Sequence, residues 1–271
     1  MQLPARRYGA RVGSVRVGGA DVAYDVQGEG DAVVLLHPTG GSRAMWALLL
    51  PSLVSRWQVV MPEFSGAGET VDDGGPIEVD HLVAQAAGVI DALGIDRYHL
   101  SGYSLGAAAA AALAAEHGNR VRSLALVCGW ARSGPRERLQ FDVWQRLFAA
   151  DRDLFTRYLF SVGMTPALLE TAGDGVEAFI AMTSATLAPG TDRHAELDAR
   201  LDISDRLGAI TAPTLVIAGT LDRVLPLEHS RDLAAGIAGS RLAEVGHGHL
   251  FPLEAPDVLG TMLAEFFEAN S

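Results

Sequence analysis

Apolar positions along the chain follow two rhythms that alternate with each other. Short, almost unbroken apolar runs occur at Ala32–Leu36, Gln58–Met61, Tyr98–Ser101, Val121–Cys128 and Thr214–Ala218. Runs of this length without polar alternation predict strands buried on both faces, as in a parallel sheet. Between them, the pattern predicts helices from Ser42 to about Leu53, at Val79–Leu93 and at Ala107–Ala115. Ser42 is a candidate cap for the first, and Gly94 a stop for the second. Near the start, Val12–Val17 and Val22–Gln27 do alternate, and Gly18-Gly19-Ala20-Asp21 separates them, which predicts a hairpin. A last short strand is predicted at Arg241–Val245 and a last helix at Pro256–Ala269. Strands that alternate with helices imply an α/β fold with a mainly parallel central sheet and helices on both faces.

From Arg132 to about Arg206 the strand rhythm vanishes. Helical spacing appears at Arg136–Ala149, Asp153–Val162, Pro166–Thr171 and Val176–Leu187. The block is too long for a loop. It predicts a helical cap at 132–206, inserted into a core made of 1–131 and 207–271.

Composition narrows the function classes. About half of the 271 residues are apolar and the formal net charge is −12. That charge argues against nucleic acid, whose phosphates require a basic face. No apolar run approaches the ~20 residues that span a bilayer, so a membrane is not an expected partner. Met1–Val17 lacks the apolar core of a signal peptide. Cys128 is the single cysteine and closes an apolar run, which suits a buried structural thiol and permits no internal disulfide. A cytoplasmic protein acting on a small molecule is the expectation, with its oligomeric state open between monomer and homodimer.

The chemistry gathers around Gly102-Tyr103-Ser104-Leu105-Gly106. In a chain with 30 glycines such a pentapeptide also arises as an ordinary turn. Here a predicted strand enters it and a predicted helix leaves it, the context of a nucleophile elbow. Such a turn is so tight that its neighbours must be small, which Gly102 and Gly106 satisfy. The helix also aims its N-terminal N–H groups at whatever Ser104 attacks. A serine hydroxyl needs a base, and the base an orienting acid. Asp222 follows the strand at Thr214–Ala218, and His247 and His249 follow the strand at Arg241–Val245. All three stand where α/β sheets form their sites, past the carboxyl ends of strands. Asp222 and the histidines have bland readings too, as a surface turn residue and loop residues.

The order Ser…Asp…His resembles the α/β-hydrolase fold family, and the resemblance covers nearly the whole chain. The motifs that carry it are His37-Pro38-Thr39-Gly40-Gly41, the pentapeptide at Ser104, Gly219-Thr220-Leu221-Asp222-Arg223-Val224-Leu225-Pro226 and Gly248-His249-Leu250-Phe251-Pro252-Leu253-Glu254-Ala255-Pro256. The capped esterase and lactonase branch, with enol-lactonases and cofactor-free haloperoxidase-like proteins, looks most similar. The family tail, a Glu five residues after the histidine and a Pro two later, fits His249 and not His247. The resemblance therefore implies catalytic Ser104, Asp222 and His249, with oxyanion N–H donors from Leu105 and Thr39. The other acid position of the fold follows the strand ending at Cys128, where the chain has Gly129-Trp130. His247-Gly248-His249 also reads as a metal pair, but no matching His/Asp cluster accompanies it.

The chain departs from the family pattern in places. Pro38 replaces a usual glycine and removes one N–H. Ala107 replaces a common second glycine after the elbow. Glu63 and Thr70 bound a loop that in the family begins with Asp and ends with Ser. Candidates for substrate contact are His37, Tyr103, Trp130 and Trp144; aromatic residues of the cap otherwise belong to helix cores. The expected activity is hydrolysis of an ester, lactone or thioester of a small to medium apolar substrate through an acyl-enzyme, with no cofactor and no metal. A lyase or C–C bond hydrolase on the same three residues is the first alternative, and a non-catalytic binding protein the second.

Overall fold

The structure, a computed structural model, describes residues 11–271. The reading of Met1–Val17 as free of a signal peptide falls largely outside the described residues. Eight strands form one sheet in the order β1-β2-β4-β3-β5-β6-β7-β8. The strands are β1 (Arg11–Val17), β2 (Ala20–Gln27), β3 (Ala32–Leu36), β4 (Gln58–Pro62), β5 (Tyr98–Tyr103), β6 (Val121–Val127), β7 (Thr214–Gly219) and β8 (Arg241–Val245). The first hairpin and its contact with β4 are antiparallel. All pairings from β4 to β8 are parallel.

The unbroken apolar runs divide by parity, because successive side chains point to opposite faces. On β3, Val34 and Leu36 pack on one face with Leu100 and Leu126, against α2 (Val79–Ala92) and α3 (Leu105–Glu116) once the elbow is passed. Val33 and Leu35 pack on the other face with Val59, Val127 and Ile217, where α1 (Leu50–Leu53) and the C-terminal helix lie. Helix α3 presents alanine on every side from Ala107 to Ala112, and all six are fully buried. Small side chains allow this helix to sit directly on β5 while α2 packs beside it on the same face of the sheet.

Five helices lie between β6 and β7: α4 (Pro135–Ala150), α5 (Arg152–Gly163), α6 (Pro166–Ala172), α7 (Gly175–Thr186) and α8 (Thr191–Arg200). The remaining helices are α9 (Leu227–Gly236), α10 (Phe251–Glu254) and α11 (Pro256–Glu268). Two local readings change. The segment after Ser42 is a 3₁₀ turn, Arg43–Leu48, before the short α1, with Ser42 accepting the Ala44 N–H at 3.4 Å. Helix α8 was not expected, because Thr-Asp-Arg-His-Ala-Glu-Leu-Asp-Ala-Arg has no apolar stripe. It buries Thr191, His194, Ala195, Leu197 and Asp198.

Sheet register aligns the ends of the strands. Leu36 pairs with Gly102, Tyr103 with Val127, Val127 with Ile217 and Gly219 with Val245. The loops after β3, β5, β7 and β8 therefore open along one edge.

Candidate active site

Between β5 and α3, Ser104 has φ 54° and ψ −119°, outside the regions an L-residue adopts freely. Such a conformation costs on the order of 1–3 kcal/mol and persists only where the surroundings enforce it. Both flanking glycines are required. A Cβ on Gly102 would collide with the Gly106 carbonyl, and one on Gly106 would sit 2.7 Å from the His37 carbonyl oxygen. The same tightness seats the start of α3 against the loop after β3.

Ser104, Asp222 and His249 converge. The His249 Nε2 lies 3.0 Å from Ser104 Oγ, and its Nδ1 lies 2.7 Å from Asp222 Oδ2. Asp222 Oδ1 accepts the N–H groups of Val224 and Leu225, each at 2.8 Å. With Nδ1–H donating to the carboxylate, Nε2 is free to accept the serine proton. All three side chains are buried, and Ser104 is 5% exposed. The loops that carry Asp222 and His249 are fastened together: the Leu221 N–H donates to the His247 carbonyl at 3.0 Å. Gly219 permits this approach, since a Cβ there would meet His247 O at 2.6 Å. Beneath, the Tyr103 hydroxyl donates to the His249 carbonyl at 2.8 Å, so Tyr103 braces the histidine from below the elbow. An alcohol beside a neutral imidazole, itself beside a carboxylate, can act as a nucleophile with its general base.

The neighbouring histidine is engaged elsewhere. His247 Nδ1 is 3.2 Å from Glu254 Oε2, and its ring stacks on Phe251. Glu254 also accepts the N–H of Gly248 at 3.0 Å and of Thr165 at 2.5 Å. That carboxylate thus ties the histidine loop to the end of α5.

In the loop after β3 the side chains turn from substrate toward the protein. His37 donates from Nδ1 to the Pro38 carbonyl at 2.9 Å and accepts the Phe64 N–H at Nε2 at 3.0 Å. Full burial and the nearby His194 lower its pKa to about 3, so the ring is neutral. Both ring nitrogens of His37, a candidate for substrate contact, hold backbone, and the residue joins the loops after β3 and β4. The Thr39 hydroxyl is also engaged, donating to Asp198 Oδ2 at 2.5 Å. Gly40, at φ +68°, donates its N–H to His194 Nδ1 at 3.2 Å, and its carbonyl accepts the Ala188 N–H at 3.0 Å. His194 in turn donates from Nε2 to the Ser65 carbonyl at 2.8 Å. Burial lowers its pKa to about 4. Asp198 is fully buried, and that burial pushes its carboxyl well above the usual range against the pull of the Thr39 hydroxyl.

The aromatic candidates form a packed row. The Trp130 ring lies tilted beside Phe141, and Trp144 meets Phe141 and Phe155 edge-on. The Trp130 indole donates to Ser133 Oγ at 2.8 Å. The indole N–H of Trp144 has no protein partner among the described residues. Both tryptophans are buried, so Trp130 is a strut between the end of β6 and the inserted helices.

One group of possible metal ligands exists among the described residues: the ligand atoms of Cys128, Asp222 and His249 lie within 4.8 Å of one another. Two of these are committed to the chain of bonds that ends at Ser104. Burial pushes the Cys128 thiol well up, which disfavours the thiolate a metal requires. The donor set therefore suits proton transfer better than coordination. The residues missed in the sequence, His194 and Asp198, lie on the helix that was missed with them. The one signal for them was their spacing of four, which places both on one helix face.

The chain belongs to the alpha/beta hydrolase fold family, whose model matches residues 31–256. It is 34% identical over 256 residues to a pyrrolizixenacetamide deacetylase of Xenorhabdus hominickii, covering 93% of this chain and 96% of that protein. It is 32% identical over 258 residues to a putative carbamate hydrolase RutD of Azorhizobium caulinodans, covering 92% and 96%. Among solved structures, the enol-lactonase of Burkholderia xenovorans LB400 superposes with a TM-score of 0.84 at 27% identity, covering 94% of this chain and 99% of that one. The protein is a hydrolase of this family, acting on a small molecule. No helix among the described residues is long and apolar enough to cross a membrane.

Proposed function

We propose that the protein hydrolyses an acyl bond of a small to medium apolar substrate through an acyl-enzyme on Ser104. The observation that carries this reading is the continuous path from Asp222 through His249 to Ser104, at 2.7 and 3.0 Å. His249, oriented by Asp222, takes the serine proton as Ser104 attacks the carbonyl carbon. Negative charge then develops on the carbonyl oxygen, where the N–H groups of Leu105 and Thr39 receive it. His249 passes the proton to the leaving oxygen, sulfur or nitrogen. It next activates a water that releases the acid and restores the serine. Preorganised donors at the oxyanion are worth about 10²–10³ in rate each.

The bond is of the ester, lactone or thioester class, and the deacetylase and carbamate hydrolase relatives support extending it to carbonyl–nitrogen bonds. The helices at 132–206 act as the cap of the site. Contacts that support this run from the insertion to three of the loops: His194 to Gly40, Arg136 to the Arg223 and Val224 carbonyls, and the Gly163 carbonyl to the Leu250 N–H. Turnover of p-nitrophenyl acetate and p-nitroacetanilide by the wild type and by Ser104→Ala tests the proposal. Loss of about 10³-fold or more in kcat is expected for the variant. Undiminished turnover by Ser104→Ala of whichever probe the wild type cleaves would overturn it.

A further inference from the structure

Helix α8 reaches the loop after β3 at two consecutive residues. Asp198 holds the Thr39 side chain, and His194, one turn earlier on the same face, holds the Gly40 N–H. We propose that Asp198 serves as an uncharged carboxylic acid that positions Thr39, and with it the oxyanion side of the site, for the reaction at Ser104. This rests on the reading of Ser104 as the nucleophile and assigns a positioning role that the comparisons do not supply.

Three observations support it. First, Asp198 is completely buried and forms no ion pair among the described residues. His194, one turn earlier on the same helix, has both ring nitrogens bonded and is neutral. Second, one hydroxyl is the hydrogen-bond partner of its carboxyl group, and Oδ1 has none among the described residues. A buried carboxylate requires a cation or several donors, whereas a carboxylic acid is satisfied by far less. Third, Asp198 is itself anchored. Its backbone carbonyl accepts the Ser133 hydroxyl at 2.5 Å, and Ser133 in turn accepts the Trp130 indole N–H. The strut therefore runs from the end of β6, through α8, to the loop that follows β3.

The physical need for such a strut follows from the loop's sequence. Pro38 supplies no N–H, and Gly40 commits its own to His194. Thr39 is left as the donor on this side, and a donor must be held to a fraction of an ångström to favour the transition state over the substrate. The hydroxyl bond to Asp198 fixes the Thr39 side chain and, through it, the direction of the Thr39 N–H.

The test compares Asp198→Asn and Asp198→Leu in the full-length protein. The readouts are kcat and KM for p-nitrophenyl acetate, and inhibition by phenylboronic acid, whose adduct with Ser104 mimics the tetrahedral intermediate. Asparagine keeps the shape, accepts the Thr39 hydroxyl through its carbonyl and carries no charge. Its kcat is expected within about threefold of wild type, whereas leucine lowers kcat by about 10²-fold, the cost of misplacing a reacting group by about 1 Å. The leucine variant should also bind phenylboronic acid more weakly by a similar factor, with KM little changed. Should Asp198→Leu fail to fold, Thr39→Val removes the same bond and is expected to show the same split. An asparagine variant as damaged as the leucine one would mean that Asp198 acts as an anion, and would overturn the proposal. So would a leucine or valine variant with unaltered kcat and boronate affinity. If Ser104→Ala retains turnover, the nucleophile reading itself falls; if only the Asp198 and Thr39 results fail, that reading stands.

Discussion

Asp222→Asn isolates what the acid does for the histidine. Aspartate and asparagine have nearly the same shape, so the fold is retained. The structure decides which way the new amide turns. Asp222 Oδ1 accepts two backbone N–H groups at 2.8 Å, and Oδ2 faces His249 Nδ1 at 2.7 Å. An asparagine that keeps its oxygen on the two N–H groups must point its NH₂ at Nδ1. That nitrogen then accepts, the ring proton moves to Nε2, and Nε2 can no longer take the proton of Ser104. Turning the amide over restores the productive tautomer but leaves two buried N–H groups facing an NH₂. Losing two such bonds costs roughly 2–6 kcal/mol. At 1.36 kcal/mol per decade, that is a fall of about 30-fold to about 10⁴-fold in kcat. The assay is kcat for p-nitrophenyl acetate, with thermal melting as the control for folding. A variant that melts like the wild type yet turns over within threefold of it would refute the tautomer argument and the base assignment with it.

Two further outcomes follow from the same geometry. Gly106→Ala drives a Cβ into backbone, to within 2.6 Å of the Leu36 carbonyl carbon and 2.7 Å of the His37 oxygen, with no flexible side chain to yield. We expect destabilisation of about 3 kcal/mol or more, seen as a fall of roughly 10 °C in Tm; an unchanged Tm would contradict the packing described. Acid should loosen the fold through His37 and His194, whose folded pKa values lie at about 3 and about 4 against 6.5 for the free side chain. Below pH 6.5 the unfolded chain takes up protons that the folded chain refuses, so their contribution is complete above 6.5 and shrinks as the pH falls toward 4. Each can steepen the loss by up to about 1.4 kcal/mol per pH unit. Urea midpoints measured from pH 7 to pH 4.5 should fall, and His194→Gln should flatten the slope; parallel slopes in the two proteins would refute this.

Much of the architecture was legible before any coordinates. Strands β3, β5, β6 and β7 appear as unbroken apolar runs because each is covered on both faces, and burial on both faces leaves a local mark in composition. The elbow was legible for a related reason: a turn this tight admits only glycine at 102 and 106, so steric exclusion is written at two fixed offsets from Ser104. Asp222 and the histidine tail could be placed because each follows such a strand.

Other features depended on the fold. The tail with Glu254 and Pro256 favoured His249 over His247, but only the approach of the β7 and β8 loops puts His249 against Ser104 and His247 against Glu254. Only the fold shows that both ring nitrogens of His37 bond backbone, one at Pro38 and one at Phe64. Helix α8 carries no apolar stripe, because Leu197 is the one large apolar residue among those it buries, beside Thr191, His194, Ala195 and Asp198. Apolar burial is a property of one segment and shows in its own letters. A buried hydrogen bond between Thr39 and Asp198 belongs to two segments separated by 159 positions, and neither reveals its partner until the chain has folded.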